Sequence, residues 1–119
     1  MVLGVFDAGR KAGMVVPNKV YQAAAAGRPL VTRDGPALRE VFRPGEHCLA
    51  CPPGDDRALA AAIRRLLDEE IFAEGLGRAA RAHVLARFAP ERQAEHLGAL
   101  LAERFGQPAP TPVARAADA

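Results

Sequence analysis

Residues 15 to 42 read "VVPNKVYQAAAAGRPLVTRDGPALREVF", and their order decides the fold class. Pro17 sits where a first helical turn tolerates proline, because the missing N–H would be unpaired there anyway. Asn18 to Ala26 then supplies good helix formers, and Gly27 is placed to cap the helix. "RPLVTR" is a short, β-branched apolar run that reads as a buried strand. "DGP" turns the chain, and Ala37 to Phe42 forms a short helix before "RPG" stops it.

The same alternation extends outward. "VLGVF" (Val2 to Phe6) reads as a strand buried on both faces, followed by the loop "DAGRKAG". "HCLAC" reads as a third strand, closed by "PPG". Strands separated by helical crossovers imply a parallel sheet, so the fold class is α/β with about three strands. Beyond Gly54 the pattern becomes helical. Asp55 can cap a helix carrying Leu59, Ile63, Leu66 and Leu67 at three- and four-residue spacing. Gly75 and Gly77 read as punctuation before a helix with Leu76, Ala80, Val84 and Phe88 inward. Pro90 opens a last helix, after the poor cap Ala89, with an apolar stripe of Leu97, Leu100, Leu101 and Phe105. From Gly106 the Pro/Ala-rich tail (106–119) has no periodicity and is expected to be disordered.

Composition narrows the function classes. The chain has 119 residues, which suits one domain. No apolar run approaches the ~20 residues that cross a bilayer, and no secretory leader is legible. The cytoplasm is the expected compartment. A net charge of +2 gives no argument for nucleic acid. Up to Gly54 there are seven Lys/Arg against four Asp/Glu, and beyond it nine against ten. The mild excess in the first half suits a small anionic ligand. Cys48 and Cys51 form a lone C-x-x-C without two further ligands at zinc spacing. Residues three apart on a strand face opposite ways, so reduced thiols are expected and no metal site. His47, His83 and His96 form no constellation in the sequence.

Taken in order, "VPNKVYQAAAAGRPLVT", "ALREVF" and "GEHCLACPPGDDRALAAAI", continued by Phe88 to Glu91, resemble the C-terminal half of group 1 (family 4) glycosyltransferases. The resemblance covers residues 2 to 105. It implies the GT-B architecture of two facing Rossmann-like domains, with residues 1–105 as a donor-nucleotide-side subdomain truncated at its N-terminal side. In such enzymes a helix carries an E-x7-E motif, whose second glutamate holds the nucleotide ribose and whose first lies near the transferred sugar. The matching positions here are Gln22 and Met14. Gln22 can still accept and donate hydrogen bonds to hydroxyls, whereas Met14 cannot.

A helix that opens after a loop presents unpaired N–H groups and the positive end of its dipole, which suits a diphosphate. With the resemblance, this gives Val15, Val16, Asn18, Lys19 and Gln22 as the expected nucleotide- and phosphate-binding residues, with support expected from Gly35 and from Glu40, which matches a glutamate of the family. No catalytic residue is assigned. Each also has a plainer role, as helix start, solvated charge or turn.

The resemblance implies retaining sugar transfer from a nucleoside-diphosphate sugar, with no cofactor beyond that donor substrate. The missing N-terminal domain and the strands that would precede Val2 lead to two expectations: the isolated chain is inactive, and the Val2–Phe6 edge invites a homodimer or swapped assembly. The competing reading is a non-catalytic α/β module that self-associates through that edge and binds no nucleotide.

Overall fold

The computed structural model describes residues 1 to 106; the expected tail beyond Gly106 lies outside the described residues. The order is β1 (Val2–Leu3), a 3-10 turn (Lys11–Met14), α1 (Asn18–Ala25), β2 (Leu30–Arg33), α2 (Pro36–Val41), β3 (Leu49–Cys51), α3 (Asp56–Asp68), α4 (Glu70–Phe88) and α5 (Pro90–Phe105). The three strands form one parallel sheet in the order β1-β2-β3. Two compact units are present, Met1–Arg87 and the segment from Phe88 onward.

β2 is the middle strand, and Leu30, Val31 and Thr32 are all buried. Its alternating side chains serve two layers. Val31 joins Cys51, Leu66, Ala73 and Leu76 in a core built with α3 and α4. Thr32 faces the other way, bordering a cavity of about 20 Å³ with Val20 of α1 and Leu38 of α2. Both outer strands are shorter than their apolar runs. β1 ends at Leu3, although the Gly4 N–H still donates to the Val31 carbonyl at 2.7 Å. A Cβ on Gly4 would lie 2.3 Å from Thr32 Oγ1, so glycine permits the close approach there. β3 begins at Leu49, with Cys48 making only an isolated bridge to Pro44. Cys48 and Cys51 are both buried free thiols. Burial, reinforced by the Asp34 carboxylate, pushes the Cys48 thiol up to about 12, which keeps it protonated and unreactive.

α1 ends in a Schellman motif. The Arg28 N–H donates to the Ala23 carbonyl and the Gly27 N–H to that of Ala24, with Gly27 at φ 68°. This turn receives α4. Gly77 is not a punctuation mark between helices but an interior residue of α4, where it lies against the backbone of Gly27. A Cβ there would stand 2.2 Å from the Gly27 oxygen. Nearby, the Arg81 guanidinium donates to the Ala25 carbonyl, placing positive charge at the negative end of α1.

A second junction joins α2, α4 and the turn before β3. Phe42 is buried between Tyr21, His47 and His83, and the two imidazoles stack with centroids 4.1 Å apart and 18° between planes. The fold thus pairs two histidines that lie far apart in the chain. His47 Nδ1 accepts from the Arg43 N–H at 3.1 Å, and His83 Nε2 meets the Val41 carbonyl.

Asp55 caps α3 as expected, accepting from the Ala58 N–H at 2.9 Å. Leu66 is buried, but Leu67 is 68% exposed and does not face the core. The following core positions Leu76, Ala80 and Val84 are buried. In the second unit α5 starts from Ala89 without a side-chain cap, and its stripe of Leu97, Leu100, Leu101 and Phe105 is exposed. No helix among the described residues is long and apolar enough to cross a membrane.

The two glycines of α4 make opposite predictions. Gly77→Ala drives a methyl group into backbone that has no rotamer to yield, and should cost about 1–3 kcal/mol in urea unfolding. Gly75 has open space around its Cβ position, so Gly75→Ala should gain about 0.5–1 kcal/mol of helix propensity. Equal midpoints for the two variants would contradict the packing described.

The imidazole pair makes stability depend on pH. Burial first, and then the charge of His83, hold His47 below its ordinary value, while Glu46 pulls the other way. In the unfolded chain His47 protonates near 6.5, before the folded form does. Stability should therefore be full above that value and fall as the pH drops toward the lower folded value. Urea midpoints should be lower at about pH 5.5 than at about pH 7.5, with a smaller difference in His47→Phe. A midpoint unchanged across this window would contradict it.

Candidate functional site

In a parallel sheet all carboxyl ends lie on one side, and the loops that leave them enclose whatever binds there. Here those loops are the stretch from Gly4 to Pro17, the Asp34–Gly35 turn and Pro52–Pro53. Together they enclose a cleft of about 720 Å³. Its charged lining is Arg10, Arg33, Asp34 and Arg39, and Met14, Pro36, Pro52 and Pro53 supply apolar wall.

The register puts these groups together. Arg33 is the last residue of β2, opposite Cys51 of β3. The Asp34 N–H extends the ladder by donating to the Cys51 carbonyl at 2.8 Å. Asp34 then turns its carboxylate back onto its own loop. Oδ1 accepts from the Gly35 N–H at 2.8 Å and Arg39 Nε at 2.8 Å, while Oδ2 accepts from Arg39 Nη2 at 2.7 Å. This two-pronged pairing is the strong geometry for a guanidinium and a carboxylate. The Arg39 hydrogen bonds hold the Asp34 carboxyl below its usual range, and the Gly35 N–H and the Arg33 charge act in the same direction.

Arg33 occupies a slot between glycines. A Cβ on Gly13 would lie 2.5 Å from its Nη1, and one on Gly35 would lie 3.1 Å from the same atom. Gly35 has φ 176°, ordinary extended backbone, so space rather than conformation calls for glycine there. Arg33 Nη2 reaches the Gly9 carbonyl only at 3.5 Å. Its Nε is buried with no hydrogen-bond partner among the described residues.

The residues expected from the sequence fall in two places. Gly35 lines the cleft, as does Met14, which is 68% exposed at the end of the 3-10 turn. Val15 and Val16 border the small cavity beneath, with Pro17, Val20 and Thr32. Asn18 is the first residue of α1, and Pro17 takes the cap position without a side-chain hydrogen bond. Asn18, Lys19 and Gln22 are exposed on α1, with Asn18 and Gln22 one turn apart. Glu40 is exposed on α2 and does not line the cleft. Arg10, Arg33, Asp34 and Arg39 were not singled out by sequence reasoning. Their signal was positional: charged residues at or just beyond the carboxyl ends of β1 and β2, with Arg33 on the strand itself and Arg39 on α2.

Comparison with known proteins places this geometry in context. A family model described as glycosyl transferase-like matches residues 1–99. Glycogen synthase of Mycobacterium tuberculosis is 42% identical over 67 residues, covering 56% of this chain and 16% of that protein. An exopolysaccharide phosphotransferase of Streptomyces coelicolor is 41% identical over 68 residues, covering 55% of this chain and 7% of its own. Among solved structures, the sucrose-phosphate synthase of Thermosynechococcus elongatus superposes with a TM-score of 0.70 at 33% identity. That match covers 76% of this chain and 23% of the synthase. The chain thus spans less than a quarter of each of these relatives.

Proposed function

The chain belongs to the glycosyl transferase-like family, and on that premise we propose that it forms the donor side of a sugar-transfer site. Its ligand on this reading is a nucleoside-diphosphate sugar, and the acceptor is bound by protein outside these residues. The observation that carries the proposal is the shared placement of α1's open end and the cleft, both reached from the loop that leaves β1 at the carboxyl side of the sheet. The names of the glycogen synthase and sucrose-phosphate synthase neighbours support the same substrate class.

Each group has a defined task in this scheme. Of the N–H groups that open α1, that of Val20 already donates to the Pro17 carbonyl at 3.0 Å, which leaves those of Asn18 and Lys19 to face the negative charge of a diphosphate. Lys19 adds a mobile positive charge beside them. Gln22 offers its amide to ribose hydroxyls, accepting through oxygen and donating through nitrogen. The contribution to catalysis is electrostatic: fixed donors stabilise the nucleoside diphosphate as it leaves the sugar carbon. No residue of this chain is assigned as acid, base or nucleophile. The isolated chain is therefore expected to bind donor weakly and to transfer nothing, with the cytoplasm as its compartment.

A second reading rests on β1. Among the described residues β1 pairs only with β2, and Leu3 and Val5 near it are 40% and 41% exposed. Such an edge can accept a further strand, from another part of a longer chain or from a second copy. On this reading the module self-associates and binds no nucleotide.

Calorimetric titration of UDP, GDP and ADP, and of one nucleotide sugar of each, separates the two. The donor reading expects one nucleotide to bind in the millimolar range, about −4 kcal/mol, weakened several-fold by Gln22→Ala or Lys19→Ala. Absence of heat with every nucleotide, together with a dimer in sedimentation, would replace it with the second reading. Sugar transfer by the isolated chain would contradict its expected inactivity.

A further inference from the structure

The charges that line the cleft are not balanced within it. Among the described residues Asp34 is its only carboxylate, and both oxygens of that group are already engaged by Arg39 and the Gly35 N–H. Arg10 and Arg33 have no ion pair among the described residues. Arg33 is moreover held in its glycine slot with a buried, unpartnered Nε. The remaining wall is thioether, proline and glycine, which offers these guanidiniums no anionic partner; Arg33 reaches a neutral acceptor, the Gly9 carbonyl, only at 3.5 Å.

A neutral hexose entering this space would displace water from two guanidiniums and return only hydroxyl oxygens. That exchange is costly, because a desolvated charge needs an opposite charge or several good hydrogen bonds. A carboxylate or phosphate ester matches the planar guanidinium fork and neutralises it. We infer that the cleft at the carboxyl edge of the sheet selects a sugar bearing an anionic group, a carboxylate or a phosphate ester, held by Arg33 and Arg10. The inference rests on the donor-side reading and specifies the sugar it takes. Arg39 compensates the Asp34 charge that would otherwise repel the ligand.

The test uses the full chain with nitrogen-15 in its arginines, so that guanidinium Nε–H signals report directly. Glucose, glucuronate and glucose 6-phosphate are titrated at about 0.15 M salt, where charges beyond ~8 Å are largely screened. The expected result is that at least one anionic sugar moves the Arg33 and Arg10 signals and binds about tenfold or more tightly than glucose. The stronger of glucuronate and glucose 6-phosphate then identifies carboxylate or phosphate. Arg10→Gln should weaken that binding several-fold. Gly13→Ala should weaken it too, because it keeps every charge but pushes aside the flexible end of Arg33. These two variants avoid dependence on Arg33→Gln, which could unsettle the loop.

Equal binding of glucose and both anions overturns the inference. So do equal shifts at Arg64 and Arg78, which do not line the cleft, or undiminished binding in both variants. UDP, GDP and ADP titrated alongside judge the donor reading separately, through amide shifts from Val15 to Gln22. Nucleotide binding without anion preference defeats this inference alone. Anion preference without nucleotide binding defeats the donor reading alone.

Discussion

Everything at the candidate site depends on β2 being hydrogen-bonded to a parallel neighbour on each side. A parallel ladder sends all three strands out of the sheet in one direction, so the loops after β1, β2 and β3 must share one edge. The pairing of Arg33 with Cys51, prolonged by the hydrogen bond from Asp34 to the Cys51 carbonyl, sets how far β2 runs before its charged residues enter the cleft. A one-residue slip would turn Arg33 to the other face and Thr32 out of its buried place. Burial of Leu30, Val31 and Thr32 between two helical layers makes that slip costly.

The layers are held by contacts that tolerate little change. α4 meets the end of α1 where two glycine backbones touch, with Arg81 bound to the Ala25 carbonyl of α1. The histidine stack fixes α4 to the segment after α2. These contacts lie away from the cleft, yet they orient α1, on whose open end the proposed diphosphate contact depends. The loops of the cleft are instead joined by polar contacts: the Asp34–Arg39 fork and the Arg33 head between Gly13 and Gly35. The rigid contacts build the scaffold, and the polar ones shape the surface that a ligand would meet.

Much of the element order was legible in the residues, for identifiable reasons. Short apolar runs bounded by glycine and proline mark buried strands, and Gly27 and Asp55 sit where helix ends require them. The meaning of Gly77 was not legible, because a glycine that admits a neighbouring backbone looks the same as one that ends a helix. The periodic stripes on α3 and α5 identified apolar faces, but periodicity does not say what covers them, and Leu67, Leu97 and Phe105 are exposed. The cleft was the least legible part. Arg10, Arg33 and Arg39 lie far apart in the chain, and only the parallel register brings their loops to one edge. The histidine pair was hidden for the same reason, since 35 residues of chain lie between the two rings that stack.

The central claim is that the carboxyl edge of the sheet is the ligand face, and backbone amide mapping by NMR tests it most directly. With whichever nucleotide sugar binds most strongly, the account predicts shifts confined to residues 9–22, 33–39 and 52–53. A second surface provides the contrast: the apolar recess on α3 bounded by Ala60, Ile63 and Leu67, which has about 480 Å³ of space and no convergent hydrogen-bonding groups beyond Arg64 and Asp68. Shifts centred there, or spread evenly over the molecule, would contradict the account.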